Sequence, residues 1–226
     1  MSNRINPYGL GDAKYLVELS DNCLVAKTVL EPLRAMIASG ETLGFKPRVV
    51  SAFRSFSAQS AIVETKWLGQ RAIVDDNDGL VQRHDDEQWL KALLRFSALP
   101  GASRHHWGTD VDIVDQRVID QGHSLQLVPS EYATSGVMGE FAAWLRETAG
   151  SFGFSHPYAT DTGWVSPEPW HISNIDEANQ VFKQWSYHEW KQLAAKHINA
   201  QIVSQLENPA ISGYVTASMC KVEINL

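Results

Sequence analysis

Hydrophobic residues recur at two different periods along the chain, and the changes of period divide it into elements. Leu24, Val25, Val29, Leu33, Met36 and Ile37 return every three or four residues, the spacing of a helix that buries one stripe. Ser20 and Asp21 stand where they can cap it, and Gly40 to Gly44 end it. Pro47 to Phe53, through Arg48, Val49 and Val50, predicts a strand that feeds a turn at Arg54 and Ser55. A second helix is predicted over Ala58 to Arg71, with Ile62, Val63, Trp67 and Leu68 as its apolar residues. The run HDDEQWL enters a third, which continues through Leu94 before Pro100 and Gly101 break the chain. A helix from Val137 to about Gly150 buries Phe141, Trp144 and Leu145, and the segment after about residue 176 reads as largely helical. Val181, Phe182, Trp185, Trp190, Leu193 and Ala194 are its core candidates.

Composition narrows the class without naming it. With 226 residues, 44% hydrophobic and 20% charged, the chain can bury a core without disulfides or a structural metal. Disordered and collagen-like classes are excluded. No run approaches 18 apolar residues, so no membrane insertion is expected. A formal charge of −7 argues against nucleic acid, which needs a basic patch. The start of the chain lacks the apolar core of a secretory signal, and Pro7, Gly9 and Gly11 read as an irregular arm. The cytoplasm is the expected location, with export by a signal-free route left open. Cys23 falls on the first helical stripe and reads as a small core residue rather than half of a bridge to Cys220. DDNDG resembles a calcium loop, but Val74 occupies the first ligand position, so a solvated loop is the reading. Repeats and linkers are missing. One α+β domain over 1–226 is expected, with a helical C-terminal extension from about 176.

Three segments place polar residues where a core would not choose them. In Ser103-Arg104-His105-His106-Trp107-Gly108-Thr109-Asp110-Val111-Asp112-Ile113-Val114, Gly108 interrupts any helix. Beyond it, Asp110 and Asp112 alternate with Val111 and Ile113, the period of a half-buried strand. Both acids then share a face, and His105 arrives from the preceding turn. In Pro167-Glu168-Pro169-Trp170-His171-Ile172-Ser173, two prolines hold Glu168 extended before a short strand bearing His171. In Ser51-Ala52-Phe53-Arg54-Ser55, Arg54 ends a strand and Gln59 lies just inside the next helix. Two histidines and one carboxylate on a sheet suit Zn2+ with a fourth position for water, whose pKa then falls to about 7. A further carboxylate can move protons, and a fixed guanidinium can stabilise an oxyanion or clamp a carboxylate. The HExxH helix of many metalloproteases is absent.

SRHHWGTDVD, EPWH and SAFRSFSAQ together resemble the SxHxxGxxxD, ExWH and upstream Arg/Gln segments of the zinc D-alanyl-D-alanine carboxypeptidases. These VanY/VanX-like enzymes include L,D-carboxypeptidases and some phage endolysins. The match covers roughly Pro47 to Asn174 with the motifs in the family's order. The resemblance implies a small antiparallel sheet carrying the zinc site among helices, of the hedgehog and D,D-peptidase type. It implies His105, Asp112 and His171 as zinc ligands, Glu168 as catalytic base and Arg54 as the group stabilising the transition state. Ser103, Gln59 and Trp170 are implied to hold substrate, a muropeptide or other D-Ala-terminated peptide. Two departures stand out: Asp110 replaces a small apolar residue, and Asn174 replaces a Tyr that often follows ExWH.

The expected activity is removal of a terminal D-Ala; a peptidoglycan endopeptidase or L,D-carboxypeptidase of the same fold is the near alternative. A non-haem Fe(II) oxygenase shares the ligand set, but expects an HxD pair that this chain lacks. A non-catalytic peptidoglycan-binding module is the other remote reading. His106, Asp110 and Trp107 are left between supporting and cleft roles, and His84, His123, His156, His188 and His197 are read as surface or core residues.

Overall fold

A computed structural model describes residues 5–11, 13–20 and 22–220. The chain opens with an irregular arm and a hairpin of β1 (Leu16–Ser20) and β2 (Cys23–Ala26), followed by α1 (Leu30–Thr42). The expected first helix is therefore corrected: its leading third is a strand. Ser20 ends β1, and Asn22, at a φ of 59°, sits in the hairpin turn, a left-handed conformation that Asn tolerates. The proposed capping partner Asp21 lies outside the described residues. Cys23 accordingly belongs to β2 and not to a helical stripe, and both cysteines are free.

After α1 come β3 (Pro47–Ser51), α2 (Phe56–Trp67) and α3 (Asp86–Arg95). Helix α2 starts where Ser55 Oγ accepts from the Ala58 amide, and α3 starts where Asp85 accepts from Gln88. Between them the acidic loop folds on itself, Asp75 taking the amides of Asn77 and Gly79. β4 (Asp110–Asp115) is followed by the short helices α4 (Gln116–Asp120) and α5 (Pro129–Tyr132), then α6 (Gly139–Thr148) and β5 (Phe154–Ser155). β6 (His171–Asn174) leads into α7 (Ile175–Phe182), α8 (Tyr187–His197), α9 (Ala200–Ser204) and α10 (Pro209–Ser218). No helix among the described residues is long and apolar enough to cross a membrane.

Four strands form one antiparallel sheet in the order β3-β4-β6-β5. Its register sets the functional site, because Asp112 is paired with Ser51 on one side and His171 on the other. β4 is buried along its whole length, not on one face as its alternation predicts. Val111 and Ile113 join a first apolar cluster with Leu33, Met36, Phe141 and Leu145. Trp107, just ahead of β4, joins a second, helical cluster with Trp67, Leu90, Leu93 and Trp190. The segment carrying His105 thus crosses from one core to the other.

Candidate metal centre

Residues Arg104–Trp107 form a single 3-10 turn closed by Gly108, whose φ is 64°. A Cβ there would lie 2.9 Å from the Ala26 amide nitrogen, so glycine is required both for the left-handed turn and for the approach of β2. The turn presents His105 to the sheet. His105 Nδ1 donates to the carbonyl of Ala52 at 2.9 Å, which leaves Nε2 as the lone-pair nitrogen. That Nε2 lies 3.4 Å from Asp112 Oδ2.

His171, opposite Asp112 in the ladder, enters from the other side. Its Nδ1 stands 3.1 Å from Asp112 Oδ1 and 3.4 Å from Glu168 Oε2. Ligand atoms of His105, Asp112 and His171 all lie within 4.8 Å of one another. Asp112 Oδ1 and His171 Nδ1 are buried and have no hydrogen-bond partner. Leaving a polar atom buried and unsatisfied is costly, and a cation held jointly by the carboxylate and the two ring nitrogens would satisfy them all. The donor set, neutral imidazoles with one carboxylate, fits Zn2+.

Burial pushes Asp112 toward the neutral form, but His105 and His171 outweigh it and hold its carboxyl well below the usual range. Burial likewise opposes charge on His171, while its hydrogen bond to Asp110 and the negative charges of Asp112 and Asp110 raise its pKa to about 10. For His105, burial prevails over the pull of Asp112 and lowers the pKa. These carboxylates therefore attract a positive charge to the ligand cluster, whether proton or metal ion.

The rear of the centre is a buried ionic chain. His171 Nε2 donates to Asp110 Oδ1 at 3.1 Å, and the same oxygen accepts from Arg104 Nε at 2.7 Å. Thr109 donates to the other oxygen at 2.6 Å. Arg104, with no exposed side-chain surface, also donates to Ser173 Oγ and to the backbone carbonyl of Cys220. Tyr158 sets its ring edge-on to His171, 5.0 Å between centroids, and donates to the carbonyl of Ser218. Such a carboxylate behind a ligand imidazole fixes its tautomer and orientation. Asp110, left open in the sequence, thus supports His171 from behind.

Glu168 opens the turn that leads into β6. Its carbonyl accepts from the His171 amide at 3.0 Å, closing a β-turn with Pro169 at the favoured second position. The Glu168 amide in turn donates to the Tyr158 carbonyl. Burial is the main influence on its carboxyl and raises the pKa to about 7 against the opposing pull of His171. Arg54 follows β3, donating to Gln59 Oε1 and Ser51 Oγ, both at 2.8 Å. His105, Asp112, Glu168, His171 and Arg54 line one cleft of about 410 Å³ with Ser103 and Trp170.

Gln59 stands behind Arg54, its amide oxygen accepting from the guanidinium and its amide nitrogen donating to the Ala98 carbonyl. Ser103 and Trp170 reach the cleft, although Trp170 is only 4% exposed and packs against Tyr132. Trp107 is wholly buried, donating to the Pro7 carbonyl. His106 bridges the Arg54 carbonyl and the Gly101 amide, and burial lowers its pKa to about 4, so it serves the scaffold. Asn174 caps α7 by accepting from Glu177, which accounts for its place after the ExWH-like segment. Arg104 and Tyr158 were missed. Arg104 adjoins His105 in sequence, but nothing in the pattern marks it as buried, and Tyr158 lies in a loop without periodicity.

A two-His, one-carboxylate centre on a small antiparallel sheet, with a buried glutamate beside it, defines a metallopeptidase-type site. The model of the D-alanyl-D-alanine carboxypeptidase family VanY matches residues 22–177, and the chain belongs to this family. Two uncharacterized proteins of Haemophilus influenzae are related in sequence. One is 41% identical over 90 residues, covering 39% of this chain and 69% of its own length. The other is 30% identical over 82 residues, and this chain spans 56% of its length. Among solved structures, the fold is similar to the vancomycin-resistance D,D-pentapeptidase VanY from a VanB-type cassette, determined with Zn(II). That likeness has a TM-score of 0.52 and 25% identity, covering 80% of this chain and 90% of that one. The L,D-carboxypeptidase LdcB shares the fold at a TM-score of 0.53 and 20% identity, over 81% and 80% of the two chains.

Proposed function

We propose that this chain is a zinc-dependent carboxypeptidase that removes the terminal D-Ala from peptidoglycan peptides or their precursors. The observation that carries the reading is the pair of unsatisfied buried atoms, Asp112 Oδ1 and His171 Nδ1, facing each other beside Glu168. His105, Asp112 and His171 would hold the ion. Zinc bound there supplies Lewis acidity and lowers the pKa of a water in its open position.

The remaining work falls to protein side chains. Glu168 takes a proton from the attacking water and delivers it to the leaving amine. A pKa raised by burial to about 7 lets it do both near neutrality. Arg54, braced by Gln59 and Ser51, offers a charge to the oxyanion that develops on the scissile carbonyl. Asp110 and Arg104 keep His171 from turning during the cycle.

The test is D-Ala release from a pentapeptide ending in D-Ala-D-Ala, measured with added zinc, after chelation, and with Glu168→Gln. Chelation should abolish release and zinc should restore it. Glu168→Gln should lower kcat by about 10²- to 10⁴-fold while zinc stays bound. Full activity in either control would sink the mechanism.

A further inference from the structure

One wall of the cleft is loop rather than strand or helix: Gln126, Leu127 and Val128, between α4 and α5, line it together with the metal ligands. A loop takes its shape from whatever satisfies its backbone, and here that is one buried carboxylate. Glu131, only 6% exposed, accepts at Oε2 from the amides of Leu127 at 2.9 Å and Val128 at 3.3 Å. Its Oε1 accepts from the Gln126 amide at 3.0 Å and from His123 Nε2 at 2.6 Å. Successive amides converge on a single anion where the chain turns left-handed, and Leu127 does so, at a φ of 54°. That conformation is unfavourable for leucine, so the bonds to Glu131 hold the wall in a shape it would otherwise leave. The carboxylate is in turn tied to the ligand strand. Its neighbour Tyr132 donates to the carbonyl of Ile113, next to Asp112, at 3.0 Å. The Tyr132 ring also packs 5.4 Å from that of Trp170 in the cleft.

We propose that Glu131 is a positioning residue that sets how large a side chain the cleft accepts beside the scissile bond, by holding Leu127 against the substrate. This deepens the carboxypeptidase reading and rests on it. Leu127 both packs on the apolar core and lines the cleft, so the width there follows the backbone that carries it. Glutamine at position 131 would keep the side chain's size but turn an NH2 group toward N–H donors, releasing the wall. Leu127 is the contact, and Glu131 acts through it.

The test uses zinc-loaded wild type, Leu127→Gly, Glu131→Gln and the double variant on peptides ending in D-Ala-D-Ala and D-Ala-D-Leu. Wild type should favour the smaller terminal residue. Leu127→Gly removes the side chain and suits the left-handed backbone. It should narrow the preference, as a ratio of kcat/KM values, by about 10-fold or more, the scale of discrimination in an apolar pocket. Glu131→Gln should narrow it too, chiefly through the KM of the larger peptide, with zinc content unchanged. Glu131→Asp keeps the charge on a shorter arm and should give an intermediate shift, which serves as the reading if Glu131→Gln does not fold. In the double variant the two effects should not multiply, because they act at one place. Calorimetric binding of D-alanyl-D-alanine and D-alanyl-D-leucine adds a readout that needs no turnover. Wild type indifferent to size, or undiminished preference in Leu127→Gly or in the Glu131 variants, overturns the proposal while keeping the peptidase. Effects that multiply in the double variant overturn it as well, since Glu131 would then act elsewhere. Protein whose binding preference narrows in these variants but which hydrolyses neither peptide keeps the wall and overturns the carboxypeptidase reading instead.

Discussion

Asp110 and Asp112 lie two residues apart on the same face of β4, both buried, yet they do opposite work. Every oxygen of Asp110 is engaged, by Arg104, Thr109 and the rear nitrogen of His171. Asp112 has an oxygen with no hydrogen bond at all. Their carboxyls are both held down, Asp110 to about 2, where burial is outweighed by Arg104 and His171. Charge alone therefore does not separate a ligand from a support. Completeness of hydrogen bonding does: the satisfied carboxylate fixes geometry, and the unsatisfied one waits for a cation. His171 sits between them, one ring nitrogen turned to each.

The sharpest way to break the comparison is Asp112→Ala. It should eliminate stoichiometric zinc after dialysis, read by metal analysis, and with it D-Ala release, while removing an unpaired buried carboxylate from the metal-free fold. Asp110→Asn should act differently. Zinc affinity, read by chelator competition, should fall about 10- to 100-fold, and unfolding should be easier by about 3–5 kcal/mol because Arg104 is left buried without its counter-charge. The double variant Arg104→Met/Asp110→Leu separates the two effects: stability should largely return, and the lost zinc affinity should not. Recovery of affinity in the double variant would mean that the ionic chain does not orient His171.

The smallest effect concerns a third carboxylate. Glu168 moves opposite to the two aspartates, from 4.5 to about 7, chiefly through burial. A raised carboxyl pKa binds the proton more tightly in the folded state. Its contribution to stability is thus complete below about pH 4.5 and is lost as pH rises through about 7. Denaturant unfolding of metal-free wild type and Glu168→Gln should diverge over that window, by on the order of 2–3 kcal/mol. Parallel curves would show that Glu168 is not held in its protonated form by the cleft.

The sequence made the front of the site readable and left the back hidden. His105, Asp112, His171 and Glu168 could be found because their spacing matches a family pattern, and the period-2 run of β4 put the aspartates on one face. Arg104 could not, since an arginine beside a histidine is normally a solvated residue, and only the packed structure removes its water. The bond from Arg54 to Gln59 was hidden for a related reason: a pattern records that a residue matters but not which side of Arg54 it touches. The β1–β2 hairpin was lost to a real ambiguity, because Leu24, Val25 and Val29 satisfy helical spacing as well as a strand followed by a turn. Asn22 was the discriminating residue.

Helix α10 lies beyond the stretch shared with the family, yet the residues at its end receive the hydrogen bonds of Arg104 and Tyr158. The Arg104 contact joins positions 116 residues apart, and closing a loop of that length costs about 4 kcal/mol of chain entropy. A substitution at the end of α10 can therefore reach the reaction through Arg104 and Tyr158 without touching the metal ligands.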